Sequence, residues 1–244
     1  MLIDTHFHLD LMDNMQLMIR DLQTASIGVL AVGTTPMAFT HEKRFCSGVN
    51  TIKVGLGMHP QLIAERGQEI DLFLRLVDDT RFIGEVGLDF SSSHIASRSQ
   101  QIICFRKIAK ACAERGGKVL SIHAVKSTGV VIEELHAAGT LKNNLCIIHW
   151  FTGTAAERKK ALEAGVWFSV NPKMLRTKGG QETIKAIPKD RLLLETDAPF
   201  ALKSRSVAAL QSELEKLVVG ISTVREENLL ERIMDNSNYV FLGK

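Results

Sequence analysis

The 244-residue chain contains eight histidines. Five of them, His6, His8, His59, His123 and His149, stand at or just beyond the ends of short apolar runs. Two carboxylates, Glu85 and Asp197, share that placement. A single histidine at a strand end is more often structural, but five with two carboxylates at one rim point to a site. In His6-Phe7-His8 the imidazoles are two residues apart, and residues i and i+2 of a strand face the same side. Such a pair can grip one divalent ion while Phe7 enters the packing behind. His123 and His149 can supply a second ion. Glu85 has two oxygens with which to bridge both, and Asp197 can complete the first. Imidazole nitrogen and carboxylate oxygen without thiolate suit Zn, Mn or Fe, and Mg less naturally. Two ions about 3.5–4 Å apart can share a water, lower its pKa and hold it for in-line attack on phosphorus. Asp197 can take the proton from that water.

These groups need a scaffold that brings strand ends together. Apolar runs at 2–3, 28–32, 52–57, 82–86, 119–122, 145–148, 166–170 and 192–194 read as strands buried on both faces. Helical patterns at 15–25, 39–47, 69–78, 97–115, 130–138, 155–164, 181–186, 207–218 and 225–241 separate and follow them. Repeated βα alternation implies a parallel sheet. Eight units in about 250 residues predict an α/β fold, a single (β/α)8 TIM-type barrel, whose chemistry collects at the C-terminal rim. An open doubly wound sheet is the competing arrangement. No Pro/Gly/Ser-rich linker divides the chain, so residues 1–244 are expected to form one domain.

Composition narrows the classes further. With 45% hydrophobic and 23% charged residues, the chain is neither disordered, collagenous nor a disulfide scaffold. Thirty basic against 27 acidic residues leave a net charge of +3, too little excess to coat a polyanion. Cys46, Cys104, Cys112 and Cys146 have no CxxC spacing and read as reduced core thiols, which fits a cytoplasmic protein. No apolar run is long enough to span a membrane, and Met1–His6 lacks the features of a signal peptide. Walker, GxSxG and GxGxxG motifs are absent, which argues against covalent Ser or Cys catalysis.

The motifs IDTHFHLD at 3–10, GLGMHP at 55–60, IGEVGLDF at 83–90, LSIHA at 120–124, IIHWFTG at 147–153, FSVNP at 168–172 and LLLETDAPF at 192–200 resemble those of the TatD family of metal-dependent deoxyribonucleases. The resemblance covers nearly the whole chain. It implies a metallo-dependent hydrolase barrel that cleaves DNA phosphodiesters, often from a 3′ end on single strands, with two divalent ions (Zn, Mn or Mg). His6, His8 and Asp197 look like ligands of one ion, Glu85 like the bridge, and His123 and His149 like ligands of the other. His59 looks like a residue beside the scissile phosphate. Departures lie outside this set: Val125, with Lys126 beside it, stands where relatives usually carry Arg, Trp150 where they commonly carry Cys, and Ser91-Ser92-Ser93 where they carry aromatic and basic residues. The variants HPQL at 59–62, GGKVLSIH at 116–123, HWFTG at 149–153 and WFSVNPKML at 167–175 are most similar to the TatD-like component of Qat anti-phage operons. That similarity implies action beside an ATPase and a QueC-like protein.

Around this set, Glu195, Asp4 and Asp89 are candidates to orient ligands, with ion pairing or turn capping as the alternative. Lys126, Lys173 and Arg176, on loops after strands five and seven, can clamp phosphates. Trp150 can stack on a nucleobase, whereas Phe151 suits packing at the barrel mouth. Two other functions use a similar ligand set: hydrolysis of an amide, ester or modified nucleotide, and a structural metal site in an assembly subunit. Related amide- and lactone-cleaving barrels often bridge their metals with a carboxylated lysine, so Glu85 leans towards the phosphoesterase.

Overall fold

Short strands buried on both faces alternate with helices along the chain. The computed structural model describes residues 1–203 and 206–243. In order the elements are β1 (Leu2–Phe7), α1 (Met15–Gln23), β2 (Ile27–Val32), α2 (Pro36–Phe45), β3 (Ile52–Gly55), α3 (Ile63–Arg66), α4 (Ile70–Leu76) and β4 (Phe82–Asp89). There follow α5 (Arg98–Arg115), β5 (Val119–Val125), α6 (Thr128–Ala138), β6 (Leu145–His149), α7 (Ala155–Glu163) and β7 (Trp167–Val170). The last elements are α8 (Pro172–Leu175), α9 (Lys178–Ala186), β8 (Leu192–Leu194), α10 (Val207–Arg225) and α11 (Leu230–Leu242).

The strands pair in parallel as β1-β2-β3 and as β4 through β8. Two seams close them into a (β/α)8 barrel. At one, Leu56 beyond β3 donates to Phe82 O and accepts from Gly84 N, each at 2.9 Å. At the other, Thr5 Oγ1 donates to Leu194 O at 2.8 Å and Asp197 N to His6 O at 3.0 Å. All eight expected strands are present, and the doubly wound alternative is excluded.

Strand alternation sorts the interior into layers. Val119, Ser121 and His123 share one parity on β5. Ile147 and His149 share it on β6, and Leu193 and Glu195 on and just after β8. The lower members, Leu30, Val32, Val119, Ile147 and Leu193, cluster with Phe82 and with Val240 of α11. The upper members are polar, buried and gathered at the C-terminal rim. The same period of two therefore builds an apolar floor and a layer of imidazoles above it.

Two strands run further than the sequence suggests. Glu85 lies inside β4 and His123 inside β5, because pairing of those strands continues to Asp89 and Val125. The register shifts between Ile83 and Val86, so Gly84 and Glu85 bond elsewhere. Glu85 N donates to Gly33 O and Met58 N donates to Glu85 O, both at 2.9 Å. An irregularity of this kind re-aims a side chain, here towards the barrel axis. Gly87 makes the adjoining approach possible: its φ is +142°, and a Cβ there would lie 2.1 Å from His123 O. The short helices α3 and α8 have no counterpart in the sequence reading, since a single turn carries too few residues to show a period.

Candidate active site

Glu85 is the hub of the rim. Its Oε1 lies 2.7 Å from His123 Nδ1, 2.9 Å from His149 Nε2 and 3.3 Å from His59 Nε2. Its Oε2 lies 3.3 Å from both His6 Nε2 and His8 Nε2. Asp197 Oδ1 is 3.5 Å from His8 Nε2 and 3.9 Å from His6 Nε2. The seven groups singled out by strand-end placement thus converge, and all but half-buried His59 are buried. His41, His94 and His136 stand outside this set. Asp197 is held there by a left-handed turn, φ +44°, in the stretch whose backbone bonds to β1.

Three of the five imidazoles have a polar side chain behind them. His6 Nδ1 is 2.7 Å from Ser121 Oγ, so a neutral ring donating there presents the Nε2 lone pair to the centre. His123 Nε2 lies 3.0 Å from Asp89 Oδ2, which also accepts from Gln61 Nε2 at 2.8 Å. His149 Nδ1 faces Glu195 Oε1 at 3.8 Å. Glu195 in turn accepts from Ser169 Oγ and, at 2.9 Å, from Asn171 Nδ2. Asp4 accepts from Thr196 N at 3.0 Å and from His6 N at 3.1 Å, tying β1 to the turn that carries Asp197. Asp89 and Glu195 thus stand behind imidazoles, whereas Asp4 bonds the backbone of His6 and Thr196. Ser121, Ser169, Asn171 and Gln61 were not anticipated. For Ser121 the available signal is its parity with His123 on β5.

The electrostatics follow from burying so many groups together. Burial opposes ionisation of Glu85, but the surrounding His59, His149 and His6 outweigh it and hold the carboxyl well below its usual range. Burial likewise opposes charge on His149, yet Glu85 and Glu195 lift it well above an ordinary imidazole. His8, opposed by burial, is raised to about 10 by Asp197 and Glu85. His6 moves the other way, lowered by burial and by His149, whose ring stacks on it at 3.8 Å and 7°.

This donor set fits divalent cations. Buried His6 Nε2 has no hydrogen bond although it points at a carboxylate. Ligand atoms within 4.8 Å of one another group as His6, His8 and Glu85, as His59, Glu85 and His123, and as His6, His149 and Glu195. Five imidazoles facing one carboxylate leave more nitrogen lone pairs than hydrogen bonds can use, whereas a cation accepts them directly.

Glu85, His8, His59, His123, His149 and Asp197 line a cavity of about 300 Å³. Its mouth is formed by Gln61, Trp150, Lys173 and Phe200. Lys126 and Arg176 are exposed and do not line this cavity, and Phe151 is buried against Phe168. Among the described residues, no helix is long and apolar enough to cross a membrane.

Imidazoles and carboxylates gathered at the C-terminal rim of such a barrel define the class of metal-dependent hydrolases. The TatD related DNase family model matches residues 3–242, and the chain belongs to that family. Deoxyribonucleases of this family are hydrolases acting on phosphodiester bonds. An uncharacterized metal-dependent hydrolase of Buchnera aphidicola subsp. Baizongia pistaciae is 30% identical over 210 residues, covering 82% of this chain and 78% of that one. A protein named 3'-5' ssDNA/RNA exonuclease TatD, from Pantoea vagans, is 31% identical over 195 residues, covering 72% and 69%. The chain spans only 37% to 58% of the length of three further relatives. In fold, the crystal structure of the TatD homolog YJJV from Escherichia coli K12 matches with a TM-score of 0.85 at 16% identity, covering 99% of this chain and 98% of that one.

Proposed function

We propose that this chain, acting as one barrel domain in the cytoplasm, is an exonuclease that releases nucleotides from single-stranded DNA in the 3′ to 5′ direction. The observation that carries the reading is the convergence of five imidazoles and Asp197 on Glu85 at the barrel rim. Direction and strand preference are supported by the relative named as a 3'-5' ssDNA/RNA exonuclease. Strand preference is also supported by a cavity of about 300 Å³, too small to admit a duplex.

His6, His8 and Asp197 would hold one divalent ion, His123 and His149 a second, and Glu85 would bridge them. When bound, such a pair activates water and neutralises charge on the phosphate. Asp197 accepts the proton of the attacking water as its oxygen bonds to phosphorus. The phosphorus–oxygen bond to the departing sugar breaks, and the sugar oxygen leaves as a hydroxyl after protonation from solvent. His59, the most exposed of the five imidazoles, donates from Nε2 to a phosphate oxygen. Ser121, Asp89 and Glu195 keep the rings from turning, so that little reorganisation accompanies the reaction. Trp150 and Lys173 at the mouth bind the strand, with Lys126 and Arg176 on the outer rim meeting phosphates further along.

The resemblance of four motif variants to those of the Qat component is the ground for proposing a role in anti-phage defence beside an ATPase and a QueC-like protein. Metal analysis of the purified protein, joined to cleavage of single strands labelled at the 5′ or the 3′ end, tests the nuclease reading. About two divalent ions per chain and a ladder shortening from the 3′ end are expected. Intact DNA with turnover of an amide or non-phosphate ester would replace it.

A further inference from the structure

The mouth of the cavity holds an arrangement that the metal centre does not use. Trp150 follows His149 in a left-handed conformation, φ +38°, which turns the chain sharply out of β6. Its half-buried ring packs against the core. Lys173 Nζ stands 4.6 Å from the centroid of that ring. The same ammonium donates to Phe200 O at 3.0 Å. Phe200 is 52% exposed and meets His8 edge to face at 5.3 Å. The lysine is itself fixed from below: Asn171 Oδ1 accepts from Lys173 N at 3.0 Å, and Asn171 Nδ2 donates to Glu195. One cation thus spans the opening and covers an aromatic ring beside the reaction centre.

A lysine on an aromatic face gains on the order of 0.5–1 kcal/mol at an exposed site. A nucleobase stacked on such a face gains roughly 1–3 kcal/mol. A base stacked on the face that Lys173 covers competes with the ammonium for it. A nucleoside alone must displace the ammonium without offering it a new partner. A nucleotide brings a phosphate, to which the displaced ammonium can pair as the base takes its place.

Resting on the nuclease reading above, we propose that Lys173 is a latch over a single-nucleotide subsite made by Trp150 and Phe200. The subsite takes one nucleoside monophosphate unit, the terminal nucleotide of a strand. Its phosphate draws Lys173 off Trp150, and its base replaces the ammonium on the ring beside Phe200. Phosphate recognition and base stacking are thereby coupled, and a base without its phosphate is poorly held.

The test uses Trp150 fluorescence in the full-length protein. Trp167→Phe removes the other indole, which stacks on Tyr239 at the opposite end of the barrel. The probes are dGMP, which has no phosphodiester to cut, and deoxyguanosine. The proposal expects dGMP to quench Trp150 and to bind roughly tenfold tighter than deoxyguanosine. Lys173→Ala should weaken dGMP while leaving deoxyguanosine bound as tightly as before or tighter, so that the difference collapses. Trp150→Phe, which keeps a stacking surface, should retain the preference for dGMP when binding is followed by calorimetry. Equal weakening of both probes by Lys173→Ala would overturn the latch. Absence of quenching by dGMP in a protein that still cleaves DNA would overturn the subsite and leave the nuclease reading intact. Loss of both would count against each.

Discussion

Asp89 Oδ2 accepts from His123 Nε2 at 3.0 Å, which leaves Nδ1 of the same ring facing Glu85 Oε1 at 2.7 Å. The carboxylate thereby fixes both the rotamer of the ring and the nitrogen presented to the centre. Asp89 also accepts from Ser91 N at 2.8 Å, so it is held in turn by the loop after β4. Groups that orient a metal-binding histidine from behind typically contribute about 10- to 100-fold to metal affinity. Asp89→Asn is therefore expected to lower divalent affinity by about that factor with the circular dichroism spectrum unchanged. Competition against a chromophoric chelator measures it. An unchanged affinity would show that Asp89 only caps its loop.

The approach of β4 to β5 beside this pair depends on Gly87. A Cβ at that position would fall 2.1 Å from the carbonyl oxygen of His123, and the residue's φ of +142° is one that L side chains rarely adopt. Overpacking and backbone strain each cost of order 1–3 kcal/mol. Gly87→Ala is expected to lower unfolding free energy by about 2–4 kcal/mol in urea titrations, and to weaken divalent binding by shifting His123. A variant of wild-type stability would contradict this packing account.

Glu42 on α2 is buried, and neither of its carboxyl oxygens has a hydrogen-bond partner. Burial, reinforced by Asp10, pushes its carboxyl well above the ordinary value of 4.5. The unfolded chain ionises near that ordinary value while the folded chain stays protonated. Stability associated with this group is therefore fully present below about pH 4.5 and is lost as pH rises towards the folded value. Glu42→Gln, neutral at every pH, should raise the Tm at about pH 8 and leave it nearly unchanged at about pH 4. Equal gains at both pH values would mean that packing, not ionisation, distinguishes the two side chains.

Much of the barrel was legible because its strands are buried on both faces and so read as unbroken apolar runs such as Phe82-Ile83 and Leu192–Leu194. Convergence of His6, His8, His123 and His149 followed from strand-end placement and a parity of two. The hub position of Glu85 depended on more. It arises from a register shift against β5 and from bonds to Gly33 and Met58, which are long-range events without a local pattern. Gln61 and Phe200 carry no local signal for a similar reason: both lie in connections after strands, and only the closed barrel carries them to the cavity mouth. Lys126 and Arg176 show the converse. Both follow a strand of the site, but they are exposed and neither lines the cavity.

If Glu85 joins the ligands of two divalent ions in a DNA-cleaving centre, cleavage depends on its carboxylate. Release of nucleotides from end-labelled single-stranded DNA, compared between wild type, Glu85→Ala and the shape-conserving Glu85→Gln, tests it most directly. Wild type should cut in Mn²⁺ or Zn²⁺ and stop on chelation. Both variants should keep the wild-type circular dichroism spectrum and lose on the order of 10³-fold in rate. Cleavage by either folded variant at the wild-type rate would contradict the account.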